Sequence, residues 1–98
     1  MGNLIYKHAL GEVLRQERMA QGRSLRSVSE LGWVSLGHLS DVERGTKDLS
    51  SDFLECVAKS LGVPTYELVI RAGMVMAGVE IPDTIESLLD NYAEPMVR

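Results

Sequence analysis

The stretch SLRSVSELGWVSLGHLSDVERG, residues 24–45, decides the fold of this chain. Ser24 is a candidate helix N-cap, and apolar residues follow it at helical spacing. Residues 32–34 interrupt that spacing, Ser35 can cap a second helix, and Gly45 stands where a helix C-terminal stop is expected. The predicted apolar positions of the two helices are Leu25, Val28, Leu31, Leu36, Leu39 and Val42. Two helices joined by so short a turn cross steeply, which predicts a helix-turn-helix unit.

Composition favours an all-helical domain. The chain has 98 residues, of which 45% are hydrophobic and 5% aromatic, and it lacks runs with strict apolar–polar alternation. The lone Cys56 excludes an internal disulfide and a cysteine-based zinc site, and we expect it to be a small core residue rather than a redox sensor. The first eleven residues contain no long apolar run, so we expect no signal peptide. No segment approaches the ~20 apolar residues of a membrane span, and we expect a cytoplasmic location.

The charge is unevenly distributed. The net charge is −4, but residues 1–47 carry seven basic and five acidic side chains and are net +2, whereas residues 48–98 are net −6. Contact with phosphate depends on the local field, so the acidic total does not exclude a nucleic-acid partner. The acidic half either aids solubility or steers a partner, and the sequence leaves both alternatives open.

Helix signals flank the motif on both sides. The spacing predicts a first helix over Tyr6–Gln21, a fourth capped at residues 50–51, a fifth capped by Thr65, and a sixth that opens at residues 82–83. The fifth is apolar nearly all round, which indicates burial on more than one side and predicts a homodimer. The expected interface residues, some of which must also close the core, are Met74, Val75, Met76, Val79, Ile81, Ile85, Leu88 and Leu89.

Several motifs carry a family resemblance. From residue 10 to residue 72 the chain resembles the Cro/repressor-type (XRE-like) helix-turn-helix family, through the pattern VSxxxLSxxERG over residues 34–45 and LGVP over residues 61–64. QGRSLR at residues 21–26, VSLGHLS at residues 34–40 and SSxxL at residues 50–54 resemble the actinobacterial regulators of Clp protease genes.

The resemblance implies an all-α, five-helix, λ-repressor-like DNA-binding domain over residues 1–80, with an extra C-terminal helix and tail over residues 81–98 that contribute to dimerisation. It implies a transcriptional regulator, usually an activator, of Clp protease and related proteolysis genes. Such a protein binds double-stranded DNA at a palindromic operator as a homodimer, is associated with the nucleoid, and has RNA polymerase and Clp protease as further partners. No cofactor, metal or small-molecule ligand is expected.

When a helix-turn-helix domain docks on DNA, the N-terminal residues of its second helix reach base edges in the major groove. The candidate DNA-binding residues are Arg26, Ser35, Leu36, Gly37, His38, Ser40, Asp41, Arg44 and Lys47. Leu36 suits a thymine methyl, and Asp41 suits a cytosine amino group or the rejection of wrong registers. Alternatives remain open: Leu36 could pack on Trp33, and His38 and Asp41 could simply be solvated.

Three further expectations concern a salt bridge, the turn and a buried hydroxyl. The resemblance implies a structural salt bridge between Arg18 and Glu43. The family often has glycine where this chain has Trp33, so either Trp33 adopts a left-handed backbone or the turn is rebuilt around Gly32. Ser29 stands where alanine is usual, and its hydroxyl needs a partner such as the carbonyl four residues earlier.

The sequence gives weaker support to two other classes of function. An antitoxin-like or other protein-interaction module would use the same fold without a DNA face. An enzyme is excluded by the lack of a catalytic constellation, a phosphate loop or a cleft-forming architecture.

Overall fold

The computed structural model describes the backbone of residues 2–78 and the side chains of residues 6–78. Within that part the chain is all-helical, with five helices that confirm the expected fold class. They are α1 (Gly2–Ala20), α2 (Leu25–Gly32), α3 (Leu36–Glu43), α4 (Ser51–Leu61) and α5 (Thr65–Met76). The expected sixth helix and the interface positions Val79, Ile81, Ile85, Leu88 and Leu89 lie outside the described residues.

Serine hydroxyls set the starts of three helices. Ser24, Ser35 and Ser50 have extended backbones, and each hydroxyl accepts a hydrogen bond from the backbone N–H three residues on. The expectation for α5 was wrong: Pro64 is its N-cap and Thr65 its first helical residue. Proline suits the N-cap because the backbone N–H groups at the start of a helix have no partner within the helix. Proline has no N–H, so it leaves no donor unpaired there. Helix α1 also begins earlier than expected, at Gly2.

One core joins all five helices, because α1 packs against α3 and α5, α2 packs against α3 and α4, and α4 packs against α5. Its largest fully buried side chains are Leu10, Val13, Leu14, Val28, Leu39, Val42, Val57 and Leu68. Gly11 lets α1 touch the end of α3, since a Cβ there would collide with the carbonyl oxygens of Val42 and Glu43. The rear of α3 is therefore held directly against α1.

Two apolar expectations were wrong. Leu31 is 58% exposed rather than buried, because α2 turns Val28, Ser29 and Gly32 inward. Cys56 is exposed rather than a core residue, since the buried face of α4 follows the phase of Phe53, Leu54, Val57, Ala58 and Leu61.

A charged network ties α5 to α1 and α4. Arg71 pairs with Glu17, Nη1 to Oε1 at 2.5 Å, and also with Glu67. Gln21 donates to Glu17 at 2.7 Å and to the Leu61 carbonyl at 2.8 Å. Burial acts to raise the pKa of Glu17, but the hydrogen bonds from Gln21 and Arg71 and the charge of Arg71 outweigh it and lower that pKa.

Among the described helices, none is long and apolar enough to span a bilayer.

Candidate nucleic-acid interface

Helix α3 is buried on one side and open on the other. Leu39 and Val42 are completely buried against the rest of the domain. Ser35, at the N-cap, is exposed, and its hydroxyl oxygen accepts from the His38 N–H at 3.2 Å. That hydroxyl keeps its own proton, so it can still donate to an outside acceptor such as a phosphate oxygen. The N-terminal turn of α3 is therefore both capped and accessible.

The turn before α3 takes the first of the two forms left open by the sequence. Trp33 has a left-handed backbone, φ 57° and ψ 40°, while Gly32 remains in α2, where a Cβ would come within 3.1 Å of the Cys56 carbonyl oxygen. The Ser29 hydroxyl donates forward to the Val34 carbonyl at 2.6 Å, so the expected bond to the carbonyl four residues earlier was wrong. Helix α2 thus packs closely on α4 and leaves the left-handed position to Trp33.

The outward face of α3 carries little side-chain bulk. Gly37 is exposed and Leu36, Ser40 and Asp41 are half-buried. A Cβ added at Gly37 would meet no atom nearer than the Ser35 hydroxyl oxygen, at 3.9 Å. Packing of Leu36 on Trp33 is wrong, because Trp33 is 94% exposed.

His38 lies at the flank of α3, next to α4. Its ring centroid is 4.4 Å from that of Phe53, with the planes tilted by 32°. Its Nε2 lies 3.4 Å from the Asp48 carbonyl oxygen. These contacts orient the ring and join the N-terminal half of α3 to α4.

Asp41 and Arg44 pair with each other. The Arg44 guanidinium donates to the Asp41 carboxylate, and both side chains reach solvent. The Thr46 hydroxyl and N–H both donate to the Asp41 carbonyl, each at 3.0 Å. The end of α3 is thereby fixed, with a carboxylate and a guanidinium side by side at its open face.

Arg26 and Lys47 are exposed cations, and within the described residues neither makes a hydrogen bond or an ion pair. Arg26 lies in the first turn of α2, where the helix dipole also favours an anion. Both side chains are available to phosphate oxygens without breaking an internal contact.

Arg18 and Glu43 form the ion pair that the resemblance implied. Nε lies 2.8 Å from Oε2 and Nη2 lies 3.0 Å from Oε1, with side chains 13% and 6% exposed. Nη1 of Arg18 also donates to the Arg23 carbonyl at 2.8 Å. The hydrogen bond to Glu43 raises the pKa of Arg18, so the guanidinium stays charged. Neither group is free to meet DNA.

The expected interface residues on α5 differ in how far their side chains are exposed to solvent. Met74 is 5% exposed and belongs to the core of one chain, so its expected place in the interface is revised. Val75 is half-buried against that core, and Met76 is 42% exposed. Tyr66 and Val69, which sequence reasoning did not include, are also exposed on α5. They lie ten and seven residues before Met76, respectively, and this helical spacing is a signal that could have found them.

Sequence reasoning also missed two structural cations. Arg23 donates to the Ser60 carbonyl at 2.8 Å and so joins the start of the motif to α4. Arg71 was visible as the only charge from residue 68 to residue 79, an apolar stretch in which a paired charge is the expected outcome. Among the described side chains, no group of three histidine, cysteine or acidic residues could hold a metal ion.

Known proteins that are similar to this chain share the helix-turn-helix fold described above. The model of the family described as "Helix-turn-helix" matches residues 14–68. The transcriptional regulator ClgR of Mycobacterium tuberculosis is 45% identical over 76 residues, which are 78% of this chain and 68% of that protein.

Two solved structures are similar over most of the domain. The crystal structure of the clp gene regulator ClgR from C. glutamicum has a TM-score of 0.69 at 39% identity and covers 72% of this chain and 92% of that one. The restriction-modification controller protein C.AhdI from Aeromonas hydrophila has a TM-score of 0.62 at 26% identity and covers 69% of this chain and 98% of that one. The matched relatives are regulators, not enzymes.

Proposed function

The chain belongs to the helix-turn-helix family, as a transcriptional regulator of the ClgR type, and we propose that it activates Clp protease and related proteolysis genes from a palindromic operator. The observation that carries the DNA-binding part is the accessible N-terminal turn of α3, set on a fully buried rear face. The target genes are proposed from similarity to a protein described as a clp gene regulator.

The proposed base contacts come from the open face of α3. Leu36 meets a thymine methyl, and the bare backbone at Gly37 allows the helix to approach the groove closely. Farther along α3, Asp41 accepts from a cytosine amino group and Ser40 donates to a phosphate oxygen, while His38 bonds a base or phosphate from the flank. This sparse set implies that DNA shape shares in the discrimination.

The proposed phosphate contacts surround that face. Ser35 donates its hydroxyl proton, and Arg26 and Lys47 provide unengaged cations. Arg44 exchanges its bond to Asp41 for a phosphate oxygen when DNA arrives. A positive surround on an acidic chain accords with the +2 charge of residues 1–47.

Homodimerisation is proposed through α5 and the residues that follow it. Tyr66, Val69 and Met76 present an exposed apolar stripe on α5, and water-exposed apolar area of this kind favours pairing with a second copy. Two domains related by a two-fold axis would read half-sites about 34 Å apart. RNA polymerase and Clp protease are proposed as further partners, with residence at the nucleoid and no small-molecule effector.

Two measurements test the proposal. Selection of bound sequences from a pool of random duplexes should recover a palindrome, whose spacing reports the symmetry of the protein. Fluorescence anisotropy on a recovered duplex across a salt series should give affinity that falls steeply with salt. Failure to enrich any sequence, together with no binding at low salt, would favour a protein-interaction module instead.

The regulatory part needs its own test. The full chain is added to transcription reactions with RNA polymerase and the promoters of the source organism's clp genes, with a promoter lacking the recovered palindrome as control. Stimulation confined to the clp promoters supports activation. Inhibition there contradicts activation but retains the targets, and no effect on any clp promoter contradicts the targets.

A further inference from the structure

Trp33 combines an unfavourable backbone with an exposed side chain. Among the described residues it is the sole non-glycine residue with a positive φ, a conformation in which a Cβ crowds the following carbonyl. The indole is 94% exposed and donates no hydrogen bond within the described residues. Burial of this side chain therefore adds little to the stability of one chain. A glycine or asparagine would also suit the left-handed backbone better.

Three hydrogen bonds hold the backbone around Trp33. Its N–H donates to the Glu30 carbonyl at 3.4 Å, and the next N–H, of Val34, donates to the Ser29 carbonyl at 3.0 Å. The Ser29 hydroxyl closes the loop on the Val34 carbonyl at 2.6 Å. The indole is thus carried on a fixed turn, so its outward direction is imposed by the fold and not by a mobile loop.

The turn also has a defined place relative to DNA. In helix-turn-helix docking the N-terminus of the second helix enters the major groove while the first helix crosses the backbone. The turn joins these two helices. Trp33 stands two residues before the Ser35 cap, so its exposed side chain is close to the end of α3 that we propose to enter the groove.

We propose that Trp33 is a DNA-contact residue at the outer edge of the half-site. The indole face packs on a deoxyribose or a thymine methyl, and the indole N–H donates to a phosphate oxygen. A DNA partner is favoured over a protein partner because the chain continues from Trp33 into the Ser35 hydroxyl and the bare Gly37 backbone, which suit phosphates and base edges. The inference rests on the proposed DNA binding by α3 and adds a contact outside that helix.

The chain offers a direct reporter, because Trp33 is its single tryptophan. The full chain is titrated with a duplex recovered by the wild-type protein from a random pool, and with a scrambled duplex as control. Quenching of indole fluorescence by acrylamide should fall severalfold on the recovered duplex. Indole that stays as accessible in the complex as in the free protein overturns the proposal.

Variants separate contact from stability. Trp33→Asn and Trp33→Gly should keep or raise the melting temperature, by up to roughly 4–8 °C as backbone strain is relieved. The same variants should bind the recovered duplex about tenfold more weakly with an unchanged salt slope, because no charge is lost. Leu31→Ala, at an exposed apolar side chain within α2, is the control and should leave both quantities nearly unchanged.

The outcomes distinguish this inference from the proposed function. If the wild-type chain binds no duplex at any salt concentration, the proposed function and this inference fall together. If binding is salt-dependent but the Trp33 variants match the wild type, this inference alone is overturned. If those variants bind DNA normally but no longer alter transcription by RNA polymerase, Trp33 is a protein contact and the DNA assignment is wrong.

Discussion

The Arg18 guanidinium holds both carboxylate oxygens of Glu43, and so joins the last turn of α1 to the last residue of α3. Because the pair is nearly buried, removing one member leaves the other charge without its partner. The two residues fix the far end of the helix whose near end we propose to enter DNA. Stability and recognition therefore meet in α3 but use different residues.

We expect Arg18→Ala to destabilise the fold by about 3–5 kcal/mol, the range typical of breaking a buried ion pair. The measurement is thermal or urea unfolding, with DNA affinity expressed per folded molecule. Arg15→Ala provides the control, since Arg15 lies exposed on the same helix. An unchanged melting temperature for Arg18→Ala, or a loss of DNA affinity without a loss of stability, would contradict the structural assignment.

The Glu17–Arg71 pair predicts a loss of stability in acid. The pKa of Glu17 is below its ordinary value of 4.5 in the folded chain, so unfolding takes up a proton at low pH. The pair contributes fully above about pH 4.5 and loses that contribution as the pH falls through the lowered value. Free energies of unfolding from pH 6 to pH 2.5 should show this decline.

Glu17→Gln should flatten that part of the profile, because the titrating group is gone. Glu12→Gln, at an exposed carboxylate of the same helix, controls for the general effect of removing a negative charge. If the profiles of Glu17→Gln and the wild type are parallel below pH 4.5, the ion pair does not supply the pH dependence.

Gly37 predicts opposite effects on stability and binding. Glycine within a helix costs about 1 kcal/mol relative to alanine, and a Cβ at this position meets only the Ser35 hydroxyl oxygen, at an ordinary contact distance of 3.9 Å. We therefore expect Gly37→Ala to raise the melting temperature while weakening affinity for the recovered duplex, because the added methyl group holds the helix away from the groove. Gly73→Ala controls for the gain in stability alone, since Gly73 is an exposed position within α5 where a Cβ meets nothing within 4 Å. Equal DNA affinity in Gly37→Ala and the wild type would contradict a close backbone approach.

The Asp41–Arg44 pair predicts a trade between affinity and selectivity. In Asp41→Asn the ion pair with Arg44 is lost and a carboxylate is removed from the proposed DNA face, so binding to scrambled duplex should strengthen. The ratio of affinities for recovered and scrambled duplexes should fall, since Asp41 no longer penalises wrong registers. Glu55→Gln, at an exposed carboxylate of α4, shows how much of the change reflects net charge alone. Selectivity retained in Asp41→Asn would assign Asp41 to solvent.

How far the sequence predicts this structure depends on the range of the interaction. The caps at Ser24, Ser35 and Ser50 follow from the local sequence. In most helices the spacing of apolar residues also predicts which side is buried. The exposure of Cys56 and Leu31 does not, because the buried side of a short helix is set by the neighbours that it meets. The partner of Ser29 was missed for a similar reason: the left-handed turn at Trp33 brings the Val34 carbonyl within reach.

The apolar stripe of α5 gives the last prediction. Met76→Glu places a charge on an exposed position of the stripe, and in a dimer that charge would be removed from water, which is unfavourable. We expect sedimentation at micromolar concentration to shift from dimer towards monomer, with little change in the melting temperature measured at high dilution. Affinity for a palindromic duplex should fall towards that for a single half-site, since each chain then binds alone.

Two variants make that result specific to the stripe. Met19→Glu introduces the same charge at an exposed methionine of α1 and should leave the dimer intact. Met74→Ala removes a buried side chain and should destabilise the fold by about 2–5 kcal/mol, which separates loss of the core from loss of the interface. A wild-type chain that sediments as a monomer, or a Met76→Glu variant that remains a dimer, would exclude this face of α5 as the pairing surface.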